Sequence, residues 1–440
     1  MTRLKIEYQS PSELRPRDNN PRTHTKKQIE KIAKSIQRFG FINPILMDED
    51  GYVIAGHGRL EAAKLLCLTE VPIIPVKGMS LTDRRAYVIA DNQLATLSGW
   101  SKDILTLEFA YLSEVEGFDP TLTGFDLPEI DAHLFAQEPQ GRRASKDDLV
   151  PSLISAAVTR LGEIWIVGRH RLKCGDATCP KTYIHLFGDA KASMVFSDPP
   201  YNVKIQGHVS GLGKIHHREF VMASGEMGSF EFTSFLGRTF ANCAKWSTNG
   251  SIHYHFADWR HQREMLDAGD ANYNELKNLC MWVKSNGGMG SLYRSGHELV
   301  FVFKSGKAAH INNVELGKNG RFRTNVWSYP GVNSFGRTRE DDLAMHPTVK
   351  PVALVMDAIL DCSMPKDIIF DPFGGSGTTL VAAQRTGRTG YMIELDPLYC
   401  DVIVRRMQSR FRLTATLEGD GRSFDEIAAE RASQPMEDGA

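Results

Sequence analysis

Helical periodicity and short apolar runs alternate in the N-terminal part of the chain. After Thr25, the apolar residues Ile29, Ile32 and Ile36 recur at spacings of three and four, which predicts an amphipathic helix that ends at Gly40. The runs PILMDE and YVIAG that follow are short enough for strands, and GHGRLEAAKLLCL passes from glycines into a second helix. This alternation predicts a small α+β domain.

Apolar strands and glycine turns dominate the longer C-terminal part. KASMVFSDPPYNV, residues 191–203, is an apolar run that stops at Asp198 and then breaks over two prolines. From residue 366, KDIIFDPFGGSGTTLVAAQRTG indicates a strand, a tight glycine loop and a helix that ends at Gly387. GYMIELD then predicts a strand with Glu394 at its carboxyl end. This order is typical of a parallel sheet that binds a nucleoside-bearing ligand at its carboxyl edge.

Shifts in composition divide the 440 residues into two domains. Residues 1–135 form the first, the polar stretch 136–150 is a linker, and residues 151–415 form the second. Residues 416–440 are a tail with one helical pattern, Phe424 to Arg431.

Composition also limits the class of protein. With 42% hydrophobic residues the chain can bury large cores, but no run approaches about 18 apolar residues, which excludes a membrane span. The start MTRLKIEYQS lacks a signal-peptide run. Because the formal net charge is −1, any nucleic-acid contact must come from local basic patches. Seven scattered cysteines without CxxC spacing predict a reduced, cytoplasmic protein with no metal site.

The turn Asp198-Pro199-Pro200-Tyr201 carries the most distinctive candidate chemistry. Prolines supply no N–H, so the carbonyl of Pro199 is available to a ligand. With the Asp198 carboxylate it can accept both N–H groups of an exocyclic amine, while Tyr201 stacks on a base withdrawn from its duplex. Both hydrogen bonds together release the nitrogen lone pair to attack an electrophile, without a metal. The alternative is a strand that ends in a proline turn beside a core tyrosine.

The glycine loop is a candidate site for that electrophile. Its spacing Phe373-x-Gly375-x-Gly377 lacks the dinucleotide fingerprint GxGxxG, and no pyrophosphate cradle follows. Glu394, at the end of the next strand, is suited to ribose hydroxyls. A glycine turn in an unrelated α/β protein fits the same segment.

The residues Gly56-His57-Gly58-Arg59 stand between a strand and a helix, where a turn can accept an anion, although glycines there commonly serve backbone geometry alone. Residues 5–95 resemble the ParB/sulfiredoxin-like N-terminal domain, whose G-[EH]-x-R box lies at this place and holds a nucleoside triphosphate. Here Gly58 replaces one arginine of the box, and His57 takes its acidic position. The resemblance implies an accessory domain that contacts DNA, a nucleotide or a partner.

Residues 151–412 resemble amino-group DNA methyltransferases in their β arrangement. The likeness rests on RLKCGDAT (171–178), DPPY, the segment WVKSNGGMGSLYRSGHELVFVFKSG (282–306), HPTVKP (346–351) and the glycine loop. It implies a Rossmann-like, doubly wound α/β sheet with permuted motif order, helices on both faces and an antiparallel strand near one edge. His297 is assigned no chemistry.

The resemblance also implies the cofactor S-adenosylmethionine and the roles of the site residues. The catalytic residues are Asp198, Pro199, Pro200 and Tyr201. The cofactor cleft consists of Asp176, His346, Thr348, Lys350, Asp371, Phe373, Gly375, Gly377, Thr378 and Glu394.

In such enzymes target recognition lies between FVFKSG and HPTVKP, here residues 307–345. Basic and aromatic residues are mixed in this segment, as suits phosphate contacts and base stacking. They are Lys307, Lys318, Arg321, Arg323, Arg337, Arg339, Phe322, Trp327, Tyr329 and Phe335. VKIQGHVSGLGKIHHREF, residues 203–220, is a second candidate, a lid over the extruded base. Solvated loops are the alternative for both.

The sequence thus predicts a DNA methyltransferase that acts on adenine N6 in double-stranded DNA, with a ParB-like accessory domain. Cytosine N4 methylation uses the same geometry, but that subfamily usually carries Ser where Asp198 stands, and RNA or protein amine methyltransferases more typically carry Asn. A ParB-like regulatory protein with an inactive methyltransferase domain is the alternative from another class. We expect a bacterial or phage-encoded restriction–modification enzyme on the nucleoid, with a homodimer left open.

Overall fold

The computed structural model describes residues 4–17, 20–115, 117–135, 146–153, 156–203, 223, 225–284, 292–314, 323–331 and 349–433. The chain divides into two compact units, Met1–Leu134 and Phe135–Ala440. Within the described ranges, no helix has both the length and the apolar character needed to cross a membrane.

The N-terminal unit is a four-stranded sheet with five helices among its described residues. Its strands are Glu7–Gln9 (β1), Ile45–Met47 (β2), Val53–Ala55 (β3) and Val71–Pro75 (β4), in the order β1-β4-β2-β3. Its helices are Lys26–Phe39 (α1), His57–Leu65 (α2), Leu81–Thr96 (α3), Lys102–Glu114 (α4) and Leu127–Leu134 (α5), with a 3-10 turn at Pro120–Thr123.

Local signals set the bounds of these helices. The Thr25 hydroxyl accepts the N–H of Gln28 at the start of α1, and Gly40, at φ 84°, ends it. Gly56 adopts the left-handed conformation, with φ 100°, directly before α2. The expected α+β fold of this unit is confirmed, with the first helix bounded as the sequence indicates.

The C-terminal unit is built on a ten-stranded mixed sheet in the order β11-β9-β10-β8-β7-β12-β13-β6-β5-β14. The strands are Ile164–Val167 (β5), His170–Cys174 (β6), Ala192–Ser197 (β7), Ser247–Ala257 (β8), Glu275–Val283 (β9), His297–Ser305 (β10), Val326–Ser328 (β11), Ile368–Asp371 (β12), Thr389–Glu394 (β13) and Ala415–Leu417 (β14). The helices are Pro180–Phe187 (α6), Ser229–Lys245 (α7), Gln262–Asn272 (α8), Val352–Cys362 (α9), Thr378–Arg385 (α10), Pro397–Phe411 (α11) and Phe424–Ser433 (α12), with 3-10 turns at Lys146–Asp148 and Trp259–His261.

The five strands β8, β7, β12, β13 and β6 are parallel, and helices cover both of their faces. Met194 of β7 packs in one core cluster with Val355 of α9, whereas its neighbour Val195 packs in another with Tyr183 of α6. Because both faces are buried, the central strands β7 and β12 are mainly apolar. The predicted doubly wound α/β class is confirmed.

Antiparallel strands flank the parallel core on both sides, not near one edge as predicted. Beyond β8 lie β10 and β9, and beyond β6 lie β5 and β14. Only residues 168 and 169 connect β5 to β6, which is far too short for the crossover that parallel strands need.

Asp147, Asp148 and Val150 are buried in the C-terminal unit, although composition assigned residues 136–150 to a linker. The Asp147 carboxylate accepts hydrogen bonds from Arg385, and Asp148 accepts the first N–H of α9, from Val352, at 2.9 Å. The assignment fails because these two carboxylates look like solvated linker residues but are paired inside the fold.

The segment assigned to a tail is also part of this unit up to residue 433. Strand β14 pairs with β5, and Phe424 and Ile427 of α12 are buried in the main core. Phe424 and Ile427 are three residues apart in the sequence and so lie on one face of α12, the face that packs against the core.

Candidate active site

A cleft opens at the carboxyl edge of the parallel strands, where β6, β7, β12 and β13 end. Eleven of the fourteen predicted site residues line it: Asp176, Asp198, Pro199, Pro200, Tyr201, Lys350, Asp371, Phe373, Gly375, Thr378 and Glu394. Gly377 begins α10 beside the cleft. His346 and Thr348 lie outside the described residues. Two segments that are more than 150 residues apart in the chain therefore share one cavity.

The Asp198 carboxylate is held at both oxygens. Its Oδ1 accepts the phenol O–H of Tyr201 at 2.6 Å, and its Oδ2 lies 2.5 Å from the ammonium Nζ of Lys350. Each oxygen keeps a further lone pair, so the carboxylate remains able to accept an N–H from a ligand in the cleft.

Glu298, the second residue of β10, completes this group from the opposite side. Its Oε2 lies 3.0 Å from the Tyr201 phenol oxygen, whose one proton is bonded to Asp198 in the shorter contact, and 3.1 Å from Lys350 Nζ, while its Oε1 pairs with Lys284. Glu298 was not predicted from the sequence, although the segment that contains it was singled out. Asp198, Tyr201, Glu298, Lys350 and Lys284 are called the acceptor cluster below.

Burial and charge set the protonation of the acceptor cluster. Burial would raise the pKa of Glu298, but Lys350 and Lys284 outweigh it and hold this pKa well below its usual value. For Asp198, burial raises the pKa and Lys350 opposes the rise. Burial would lower the pKa of Lys350, yet Asp198 and Glu298 raise it, so the lysine is a cation.

The turn after Tyr201 is fixed by Asn202. This residue has φ 51°, a left-handed conformation that Asn tolerates better than most side chains. Its buried amide donates to the carbonyl of Met227 and accepts the N–H groups of Gly225 and Met227. Asn202 was not predicted. It ties the Asp198-Pro199-Pro200-Tyr201 turn to residues 225–227.

The glycine loop and Glu394 form the other half of the cleft. The Glu394 carboxylate accepts the N–H of Gly375 at 2.7 Å and that of Asp396 at 2.9 Å. Gly377 begins α10 at φ 81°, and a Cβ there would lie 3.0 Å from Ile403. Only glycine fits this position without strain, which explains its place in the loop.

Two carboxyl groups in this half have raised pKa values. Burial raises the pKa of Asp371 to about 8, against hydrogen bonds from Thr379 and the N–H of Phe373. Burial likewise raises the pKa of Glu394 to about 7, although two backbone N–H groups favour its ionised form. Both groups therefore titrate near neutral pH.

The remaining walls of the cleft combine acid with apolar surface. Asp176 accepts the backbone N–H and hydroxyl of Thr178 at the end of β6. Phe196, Phe373 and Leu395 supply apolar walls. Leu395, Asp396 and Tyr399 also line the cleft and were not predicted, because the sequence assigned a role at this strand end to Glu394 alone.

Part of the predicted target-recognition segment belongs to the core of this unit. Trp327 and Tyr329 are buried, and Arg323 donates to Asp361 and to the Tyr329 phenol while its guanidinium lies 5.2 Å from the Trp327 ring centre. These three side chains are therefore engaged within the fold, contrary to the expected contacts with DNA. The basic and aromatic residues at 315–322 and 332–345, and the predicted lid beyond Val203, lie outside the described residues.

The N-terminal unit has a cavity at the predicted glycine turn. Arg22, His24, His57 and Arg59 line it, opposite Asp91. Among the described residues, His57 Nε2 and Arg59 Nε are buried without a hydrogen-bond partner. Burial lowers the pKa of both side chains, and His24 and Arg17 lower that of His57 further. The cavity therefore brings two arginines and two histidines together with one carboxylate.

Three protein families match the chain in consecutive segments. Residues 2–92 match the ParB N-terminal domain, residues 103–161 the ParB-methyltransferase HTH domain, and residues 192–405 the DNA methylase family of N6 and N4 enzymes. The middle match begins at α4 and was not separated from the ParB-like domain by sequence reasoning.

Individual relatives agree with this division. The ParB-like nuclease domain-containing protein YnaK of Escherichia coli is 45% identical over 78 residues, which are 18% of this chain and 90% of that protein. The type II methyltransferase M2.MboI of Moraxella bovis is 27% identical over 232 residues, 50% of this chain and 82% of that enzyme.

Solved structures of methyltransferases are also similar. PvuII DNA methyltransferase, described as cytosine-N4-specific, aligns with a TM-score of 0.43 and 15% identity over 64% of this chain and 94% of that one. The complex of M1.HpyAVI with S-adenosylmethionine aligns with a TM-score of 0.37 and 21% identity, over 54% and 98%.

Proposed function

We propose that this chain, which belongs to the N6/N4 DNA methylase family and carries ParB and HTH domains ahead of its catalytic domain, methylates adenine N6 in duplex DNA. The observation that carries the proposal is the shared cleft. The Asp198-Pro199-Pro200-Tyr201 turn and the Glu394 side of the glycine loop line the same cavity, so an amine and a methyl donor can meet there.

The residues of the cleft fit S-adenosylmethionine, the cofactor of this family. The donor is a cation with a flat aromatic heterocycle and ribose hydroxyls. The cleft offers carboxylates from Asp176, Asp371 and Glu394 beside the apolar walls of Phe196 and Phe373. We assign Glu394 to the ribose hydroxyls and Asp176 to the adenine end, and the glycine loop, with Gly375, Gly377 and Thr378, to close backbone approach. When bound, the cofactor supplies an electrophilic methyl group on a sulfonium.

The acceptor side activates the amine by hydrogen bonding. The Asp198 carboxylate and the Pro199 carbonyl accept the two N–H groups of the base, which withdraws the nitrogen lone pair from conjugation with the ring. Tyr201 presents its ring to the base. The nitrogen would attack the methyl group that the bound donor supplies, and the donor would leave with the bonding electron pair on sulfur. Asp198, the nearest base, accepts the proton that the nitrogen then loses.

The residue at position 198 supports adenine as the target. Methyltransferases of this type that act on cytosine N4 usually carry Ser there, whereas this chain carries Asp198. A buried carboxylate next to Lys350 is also a stronger acceptor than a hydroxyl, because charged acceptors form stronger hydrogen bonds. The ParB-like domain and residues 103–161, which match the HTH domain, are proposed to contact the DNA. A second copy of the chain is proposed to pair with the exposed apolar residues Leu279, Met281 and Val326.

The direct test is to identify the methylated nucleoside. The full chain is incubated with duplex DNA and radiolabelled S-adenosylmethionine, and the digested DNA is analysed by mass spectrometry, with Asp198→Ala as a control. N6-methyladenine supports the proposal. N4-methylcytosine would contradict the adenine assignment, and cofactor binding without transfer to any DNA would contradict the enzyme assignment. Sedimentation of the full chain tests the proposed self-association.

A further inference from the structure

We infer that Glu298 and Lys350 are positioning residues for methyl transfer, which fix the carboxylate of Asp198 and the phenol of Tyr201 in the geometry that captures the amine. This inference rests on the proposed function of the same cleft. It assigns a role to Glu298, and it moves Lys350 from the cofactor side, where sequence reasoning placed it, to the acceptor side.

The geometry of Lys350 carries the first half of the inference. Its ammonium lies 2.5 Å from Asp198 Oδ2 and 3.1 Å from Glu298 Oε2, and 3.3 Å from the Tyr201 oxygen. The side chain is only 5% exposed, so it cannot exchange these partners for water. Rings of Phe256 and Trp282 lie within 6 Å of the ammonium and confine it further.

Glu298 provides the fixed point for this lysine. It is the second residue of β10, a strand paired on both sides, and Lys284 holds its other oxygen. Its Oε2 lies 3.1 Å from the Lys350 ammonium and 3.0 Å from the Tyr201 phenol oxygen. Each oxygen of Asp198 therefore has one protein partner within the acceptor cluster and one direction left for a ligand.

This arrangement suits a reaction that needs a carboxylate in one orientation. A small rotation of the Asp198 carboxylate would move its acceptor oxygen out of line with the N–H of the amine. Such misplacement of a reacting group costs on the order of 10²-fold in rate. The groups that face Asp198 are Lys350, Glu298 and Tyr201, with Asp371 on the neighbouring strand β12. Lys350 is the cation among them, and it favours the ionised form that accepts hydrogen bonds.

Variants of Lys350 and Glu298 have opposite effects on the charge around Asp198, and this opposition is the test. Lys350→Met removes the cation and leaves two carboxylates close together, so the pKa of Asp198 rises. Glu298→Gln removes a like charge, so the pKa of Asp198 falls. Single-turnover methylation of DNA is measured against pH for both variants, with Lys350→Arg as a rescue. Lys304→Met, at the far end of β10 in an ion pair with Glu275, is the matched control.

We expect both variants to lose on the order of 10²-fold in single-turnover rate at pH 8. The acidic limb of the profile of rate against pH should move to higher pH in Lys350→Met and not in Glu298→Gln. Lys350→Arg should be at least tenfold faster than Lys350→Met. Cofactor affinity by calorimetry should stay within about threefold of wild type in Glu298→Gln. Lys304→Met should match the wild type.

The inference would be overturned if Lys350→Met lost rate equally at every pH, with the acidic limb of its pH–rate profile unchanged. That result would indicate a structural role alone. The wild type reports on the proposed function in the same assay: if it transfers no methyl group to DNA, that proposal fails. In that case the inference is decided by an NMR titration, which follows the signal of the Asp198 side-chain carboxyl carbon in isotope-labelled protein. The signal is assigned by its loss in Asp198→Asn. A pKa that rises in Lys350→Met supports the inference, and an unchanged pKa refutes it.

Discussion

Raising the pH from 6.5 to 8 should weaken the ligand-free catalytic unit and strengthen its binding of S-adenosylmethionine. Burial raises the pKa of Glu394 to about 7 and that of Asp371 to about 8. Both carboxyls are ionised throughout this range in the unfolded chain, so the folded state holds more protons and loses stability as the pH rises. The cationic cofactor should bind more tightly over the same range, because it needs the Glu394 carboxylate charged.

The magnitude follows from the two pKa values. Between pH 6.5 and 8, Asp371 and Glu394 together lower the free energy of unfolding by about 2 kcal/mol. Burial lowers the pKa of His170 to about 4 and that of His253 to about 3, and these two groups oppose the change by about 1 kcal/mol. Burial lowers the pKa of His255 as well, which acts in the same direction. The carboxyls win, and a net loss of about 1 kcal/mol is expected.

Chemical denaturation followed by tryptophan fluorescence measures this loss, because five of the six tryptophans lie in the catalytic unit. Calorimetry should show cofactor affinity increasing about fourfold over the same range, as expected for one required carboxylate with a pKa near 7. Glu394→Ala should abolish that dependence, whereas Glu418→Ala, outside the cleft, should retain it. Stability that rises with pH, together with a flat affinity in the wild type, would refute the assignment of Glu394.

Other variants test further parts of the site. Glu394→Ala should weaken cofactor binding by about 1.5–3 kcal/mol, the range for hydrogen bonds to charged groups, as calorimetry will show. Asp198→Ala should bind cofactor and DNA but transfer methyl groups at least ~10²-fold more slowly. Tyr201→Ala should lose about 1–3 kcal/mol of base stacking, which 2-aminopurine fluorescence will report. Tyr201→Phe keeps the ring but loses the hydrogen bond to Asp198, so it should slow methyl transfer about tenfold. An inactive Tyr201→Phe would give the phenol a chemical role. A fragment that begins at residue 145 should fold and bind cofactor, but one that begins at 152 should be less stable by about 3–5 kcal/mol in denaturant, because Arg385 and the buried Arg406 lose their partner Asp147.

The cofactor half of the cleft was largely predictable because its signals are local. Asp371, the glycine loop and Glu394 lie within one strand–loop–helix–strand unit, and parallel strands bring their carboxyl ends to one edge. The turn at Asp198 was found for the same reason, since two prolines after an apolar run mark a strand end. The pairing of these two segments in one cleft followed from the family resemblance.

The acceptor cluster could not be predicted in full because its members meet only in the folded sheet. Glu298 lies 97 residues after Tyr201 in the chain, and neither the alternation of β10 nor its charge distinguishes a buried ionic partner from a solvated glutamate. Arg323, Trp327 and Tyr329 show the reverse error, since basic and aromatic residues in a segment suggest a nucleic-acid surface. Here an arginine stacks on a buried tryptophan and pairs with Asp361, which composition cannot reveal.

The order of strands in the large sheet has a consequence for how the protein is made. Met194 of β7 pairs with Ile369 of β12, about 175 residues later in the chain. At about 5–20 residues per second, a ribosome leaves β7 with one open edge for roughly 10–35 s, although its other neighbour, β8, has already emerged. The strand is almost entirely apolar, so this edge is an attractive template for other nascent chains. Synthesis that stops between β8 and β12 therefore yields a product that holds its amine-binding turn but exposes one edge of the central strand β7.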